Sequence, residues 1–265
     1  MSTTTQTISL HMIQCELDAK GLTQLGRMNR LPLRKVDTNY LVHCALGELF
    51  QDQAPKPYSI ENDGAPGRQV RVLGYAPVGS KELQELARAF ASPTVYEMAT
   101  WERLASKDMP TTFPEGMRLG FELRACPVIR KSSAGTGTNK TGDTVYWNAG
   151  QELDAFLARQ WTTDESLDRE SVYVDWLERQ LTTRGGADLL DAGVDRFSIE
   201  RMVRRTQEDA NGDRTAQTVK RPDVTLSGTL TVTDGPAFTR LLRSGIGRHK
   251  SFGFGMLKVR RARDE

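Results

Sequence analysis

Histidine and cysteine are scarce, with three of each in 265 residues. Cys15, Cys44 and Cys126 lie far apart, with no Cys-x-x-Cys pair and no Cys/His cluster. That spacing argues against a zinc site or a disulfide framework and predicts a reducing, cytoplasmic setting with no metal and no cofactor. No apolar run reaches the eighteen or so residues a membrane helix needs. The first residues, MSTTTQTISL, lack the basic start and apolar stretch of an export signal. Charge of one sign is also lacking: the formal net charge is only +2. Any affinity for a polyanion must therefore come from where the cations sit rather than from how many there are.

What the sequence does have is uneven placement. Arg240, Arg243, Arg248, Lys250, Lys258, Arg260, Arg261 and Arg263 follow one another with no acid before Asp264, while acids gather at 152–178. Inside this stretch lies GIGRHKSFGFGML, Gly245 to Leu257. Its glycines let backbone approach a ligand closely, and Arg248 and Lys250 offer charge and donors to phosphate. It is not a Walker A loop, because His249 stands where Gly must precede Lys-Ser. It is not a dinucleotide fingerprint either, because Lys250 replaces the last Gly. The reading that remains is an RNA-contacting loop built from Gly245, Gly247, Arg248, His249, Lys250 and Ser251, against a purely structural glycine turn.

Apolar alternation predicts strands near 7–16, 57–61, 69–76, 117–128, 197–206, 217–233 and 252–260. Helical spacing predicts helices at 37–50, 80–91, 151–161, 168–182 and 235–243, an α+β or α/β order. Asp37 and Asp234 are suited to cap the first and last helices, with Pro236 in the last helix's first turn, Gly245 past its end and Phe238, Leu241 and Leu242 as its buried stripe. Ser132 to Asp143, SSAGTGTNKTGD, reads as a flexible loop. Asn211-Gly212 reads as a hairpin turn after Arg201, Arg204 and Arg205, with Arg214 beyond it.

On helix 37–50, Val42, Ala45, Leu46 and Leu49 share one side, and Tyr40, His43 and Gly47 project from roughly the opposite one. Tyr40 and His43, one turn apart, can address the same ligand atom. An imidazole there can move a proton between two oxygens, as phosphodiester cleavage requires, and a tyrosine hydroxyl can orient or donate. The alternative is a boundary pair with no chemistry. His11 falls in the first strand and reads as structural. His249, flanked by cations, can contact RNA or share the proton transfer.

Three segments together resemble the CasE-type CRISPR repeat endoribonucleases of type I-E systems. DTNYLVHCALGELF resembles their early helix with a Tyr-x-x-His pair, and RLGFELRACPVIRK (Arg118 to Lys131) resembles a characteristic strand. LTVTDGPAFTRLLRSGIGRHKSFGFGMLKV resembles their last helix, glycine loop and strand. Weaker similarity runs through Val174-Asp175-Trp176-Leu177. The resemblance implies two tandem ferredoxin-like (RRM-like) domains, 1–110 and 111–265, with an inserted helical segment at about 149–172. It implies cleavage of precursor CRISPR RNA within its repeats by 2′-hydroxyl attack, without metal, followed by retention of the guide. Tyr40 and His43 then match the catalytic pair, and Gly245, Gly247, Arg248, Lys250 and Ser251 match the RNA-binding loop. Arg34 and Lys35 would lie near the cut, and the hairpin with Arg201, Arg204 and Arg205 would hold the repeat stem. The length resembles the related processing nucleases of type IV systems as well. Some such enzymes rely on arginines, which brings in Arg27, Arg30, Arg34 and Arg248 as charge stabilisers. Implied partners are the repeat RNA hairpin, the mature crRNA and other subunits of an effector complex, with no membrane. The alternative to the enzyme is a non-catalytic RNA-binding subunit of such a complex.

Overall fold

A computed structural model describes residues 9–31, 37–61, 69–205 and 216–262. Arg34, Lys35, the Asn211-Gly212 turn and Arg214 lie outside the described residues, and Arg204 and Arg205 are described as backbone alone.

The first unit runs β1 (His11–Asp18), α1 (Ala19–Met28), α2 (Thr38–Phe50), β2 (Tyr58–Glu61), β3 (Gln69–Ala76), α3 (Ser80–Phe90), α4 (Pro93–Tyr96) and β4 (Ala105–Asp108). Its strands form an antiparallel sheet in the order β2-β3-β1-β4. Alternate residues of β1, Ile13, Cys15 and Leu17, are buried and share one apolar cluster with Leu22, Leu46 and Leu83 of the helices. Each large apolar side chain removed from water in this way contributes about 1.5–3 kcal/mol before the entropy of ordering is charged against it.

The second unit begins with β5 (Arg118–Ala125). Then come β6 (Val128–Arg130), β7 (Gly135–Thr138), β8 (Thr144–Trp147), β9 (Glu152–Asp154) and α5 (Ala155–Gln160), followed by α6 (Arg169–Arg184), β10 (Ala187–Arg205), β11 (Ala216–Val232), α7 (Gly235–Ser244) and β12 (Leu257–Arg261). Its main sheet has the order β10-β11-β5-β12. In both units a helical crossover follows the first strand, a hairpin joins the next two, and a second helix leads to the last strand beside the first. The chain is therefore α+β, with two tandem ferredoxin-like folds. Leu10 and Tyr75 of the first unit pack into the apolar cluster of the second, and the Tyr75 hydroxyl donates to the Leu257 carbonyl at 2.9 Å.

Several expectations need correction. The span between β5 and α6 holds four short strands and α5, and the helix expected at 151–161 starts as β9 and is helical only over Ala155–Gln160. Ser132 to Asp143 is not one open loop. Gly135–Thr138 pairs with Thr144–Trp147 as the β7–β8 hairpin, and the Asn139 side-chain oxygen accepts from the Thr141 and Asp143 amides across the turn at 3.0 and 2.8 Å. The last strand starts at Leu257, because Lys250–Phe252 form a tight helical turn first. The strand expected at 197 begins at Ala187. Register shifts at Leu189/Asp191 and Val194/Arg196 break the alternation that would have revealed its first half. Among the described residues no helix is long and apolar enough to cross a membrane.

Candidate functional site

Helix α2 is positioned from its first turn. Asp37 caps it, accepting from the Tyr40 amide at 2.8 Å. Leu41, Val42, Ala45, Leu46, Leu49 and Phe50 are buried, while Asn39, Tyr40 and His43 are only partly buried, Tyr40 packing against the edge of the first unit's core. They turn toward the second unit. The rings of Tyr40 and Phe252 stack with centroids 5.7 Å apart, and the Tyr40 and His43 ring centroids lie 6.2 Å apart.

Polar contacts fix this docking. The Tyr58 hydroxyl sits 2.9 Å from both the Asn39 and the Ser251 carbonyl oxygens. Burial above all, with the negative charge of Asp37 beside it, pushes its pKa far up, so it remains a donor. Arg124 of β5 donates to the Asn39 side-chain oxygen at 3.2 Å and forks onto Asp223 at 3.0 and 2.8 Å, with its guanidinium over the Phe254 ring.

The glycine loop is shaped by conformation as much as by access to ligand. Gly245 ends α7 at φ +68°, and a side chain there would meet the Gly255 carbonyl at 2.8 Å and Pro57 at 2.9 Å. Gly247, at φ +75°, lies against the Trp176 indole at 2.9 Å from where a Cβ would stand. The loop closes where the Ile246 amide donates to the Gly255 carbonyl at 2.9 Å. Gly245 is buried and Gly247 half-buried, so the exposed chemistry belongs to the side chains that follow.

Those side chains are organised by Glu152 of β9, a residue that sequence reading did not single out. Its carboxylate, 7% exposed, accepts from Arg248 Nε at 2.6 Å and Arg221 Nη2 at 3.1 Å, with His249 Nε2 at 2.9 Å. These contacts, the His249 hydrogen bond foremost, hold the Glu152 carboxyl well below the usual carboxylate range despite its burial. His249 was expected among cations alone; its ring, 5% exposed, instead faces a carboxylate and abuts Phe252 at 6.3 Å. Two cations of the C-terminal stretch, Arg248 and Lys258, thus meet acids in space that are distant in sequence. Glu152 meets Arg248, and Glu61 and Glu122 meet Lys258 at 3.0 and 2.5 Å.

Two clefts open here. One, of ≈ 370 Å³, is lined by His43, Gly47, Asp52, Lys56, Tyr58 and Arg243 among others. The second, of ≈ 240 Å³, is lined by Lys56, Glu152, Arg248, His249, Lys250, Ser251 and Phe252. Lys56 borders both. The His43 pKa is lowered, first by burial and then by the Lys56 charge, which favours the neutral imidazole. Lys250 is lowered by burial and by the charges of Arg184 and Lys56, and its ammonium donates to the Ser244 carbonyl at 2.6 Å.

The structure therefore brings together Tyr40, His43, Arg248, His249, Lys250 and Ser251. Arg27 lies in the last turn of α1 and Arg30 just past it, both exposed, and Arg201 is exposed on β10, an edge strand of its sheet. Among the described residues no group of three or more His, Cys, Asp or Glu is arranged to hold a metal ion. His11 is bridged to Ser9 and Asp108 at 2.7 and 2.8 Å.

No curated protein matches the sequence. Among solved structures the fold is similar to a CRISPR endoribonuclease Cse3 bound to a 19-nt RNA, with TM-score 0.58 and 19% identity over 95% of this chain and 99% of that one. It is also similar to Thermus thermophilus Cse3 bound to an RNA representing a pre-cleavage complex, with TM-score 0.52 and 19% identity over 95% and 99%. The CRISPR-associated protein Cas6e from Escherichia coli K-12 gives TM-score 0.52 and 20% identity over 95% and 100%. A family model described as CRISPR associated protein matches residues 10–261, and the chain belongs to that family.

Proposed function

We propose that this protein is a metal-independent endoribonuclease that cleaves precursor CRISPR RNA within its repeats and keeps the mature guide RNA bound. The observation that carries the reading is the docking of the Tyr40/His43 face of α2 onto Phe252 of the basic loop, with Lys56 between two adjoining clefts. A half-buried imidazole whose pKa is lowered is neutral near pH 7 and can take the proton of a ribose 2′-hydroxyl. The 2′-oxygen then attacks the adjacent phosphorus, the bond to the 5′-oxygen breaks, and a 2′,3′-cyclic phosphate forms. The departing 5′-oxygen takes a proton from the imidazolium so formed or from the Tyr40 hydroxyl. Cations at the cleft offset the charge gathered on phosphorus.

The repeat hairpin is the expected substrate, since A-form stems are held through phosphates and shape while loops and ends carry sequence. One solved relative is named a CRISPR endoribonuclease bound to a 19-nt RNA and another is bound to an RNA representing a pre-cleavage complex, which agrees with this reading. Other subunits of a cytoplasmic CRISPR effector complex are the further partners proposed.

The test is labelled repeat RNA incubated with the protein in EDTA. Cleavage is expected, and 2′-deoxyribose at the cut site should abolish it without abolishing binding. Cleavage that needs added Mg²⁺ refutes the mechanism, and binding with no cleavage leaves a guide-holding subunit.

A further inference from the structure

We infer that Lys56 is the cation that touches the scissile phosphate, an inference that rests on the ribonuclease reading above. Its place is set by rigid neighbours. Pro55 and Pro57 on either side are buried, the Lys56 amide donates to the Tyr75 carbonyl at 2.8 Å, and the Tyr75 amide donates to the Pro57 carbonyl at 3.0 Å. The backbone is thus tied to β3 while the side chain is exposed at the junction of the His43 cleft and the loop cleft. A phosphate reached by His43 on one side and by the basic loop on the other must pass this ammonium.

The other cations at the loop cleft have partners: Arg248 is engaged by Glu152 and Lys250 by the Ser244 carbonyl. Among the described residues no ion pair or hydrogen bond involves the Lys56 ammonium, so no protein contact has to break before it meets an anion. Its charge also reaches both functional groups, since it helps lower the pKa of His43 and of Lys250. The other titratable groups lining the His43 cleft are Asp52 just beyond α2, Tyr58 and Tyr75 from the sheet, and Arg243 from α7, while Tyr40 and Cys44 share the helix itself. One lysine thus adds to the effect of burial in favouring the neutral base and supplies positive charge where the pentavalent phosphate forms.

Three readouts on Lys56→Ala and Lys56→Arg test this. With repeat RNA carrying 2′-deoxyribose at the cut site, the slope of log affinity against log salt should fall by about 0.7–0.9 for Lys56→Ala, the loss of one phosphate contact. At saturating enzyme, single-turnover cleavage should slow by roughly 10²–10³-fold in Lys56→Ala, with substantial recovery in Lys56→Arg. The His43 imidazole, followed by NMR without RNA, should titrate at higher pH in Lys56→Ala, because a neighbouring positive charge is gone. An unchanged salt slope, or cleavage within about 2-fold of wild type while His43→Ala is inactive, overturns the assignment and leaves the nuclease reading standing. Wild-type protein that never cuts sinks the nuclease reading, and the salt slope and His43 titration still decide whether Lys56 meets phosphate beside that ring.

Discussion

Glu152→Ala tests whether the inserted segment builds the loop or merely decorates it. The substitution leaves the Arg221, His249 and Arg248 side chains, 15%, 5% and 47% exposed, facing a missing carboxylate. Removing one partner of a buried ion pair costs about 3–5 kcal/mol. Because Arg248 is half in water and regains solvation, about 2–4 kcal/mol is the fitting range. At roughly 2–4 °C per kcal/mol for a protein of this size, the melting temperature at pH 7 should drop by about 4–16 °C. The sign of the pH dependence follows from the depressed pKa of Glu152. Its contribution is complete above the unfolded glutamate value of about 4.3 and is lost as pH falls through the lower folded value. The gap between wild type and variant should therefore be widest near neutrality and shrink below about pH 4. Thermal unfolding across that range measures it. A loss under about 2 °C at pH 7, or a gap that widens on acidification, would show that Glu152 does not hold the loop.

His43→Ala should slow single-turnover cleavage by roughly 10²–10⁴-fold while affinity for uncleavable RNA changes little, and full activity in the variant would move the chemistry elsewhere. In wild type, kcat/KM should rise with pH through a midpoint below the ordinary histidine value of about 6.5, since burial and Lys56 disfavour the imidazolium. A midpoint at or above that value would contradict the environment found for the ring. Arg124→Met should destabilise by about 3–5 kcal/mol, because it strips Asp223, fully buried, of its fork and leaves Arg196 at 3.5 Å. Lysine at that position should recover only part of the loss, and chemical denaturation that finds either variant within about 1 kcal/mol of wild type would refute this.

The helices that carry the site were legible because their signals are local. Asp37 and Asp234 cap as expected, the latter accepting from the Ala237 amide at 2.8 Å, and Phe238, Leu241 and Leu242 are buried. Helix α1 was missed, although Asp18 caps it by accepting from the Gly21 amide at 2.8 Å and Leu22 and Leu25 give its buried face. Two glycines in ten residues diluted that pattern. Strand β4 left no hydrophobic trace, since Ala105, Ser106, Lys107 and Asp108 are all exposed and only pairing with β1 defines it. Glu152 and Lys56 escaped for a different reason. A carboxylate nearly a hundred positions from Arg248, and a lysine between two prolines, acquire meaning only when the chain brings them to the loop.

That dependence on folding also explains how a chain of net charge +2 can gather Lys56, Arg248 and Lys250 at one cleft. Acids from distant segments take up Lys258 and one face of Arg248, which keeps those side chains ordered, while the exposed Lys56 comes from the first unit and Lys250 and Ser251 from the second. The Tyr58 hydroxyl reaches backbone oxygens of both units, so the imidazole and the loop keep a fixed separation only while the two are docked. Either ferredoxin-like unit alone would hold half of the proposed chemistry. The shared core around Tyr75 holds the two halves of the candidate site together.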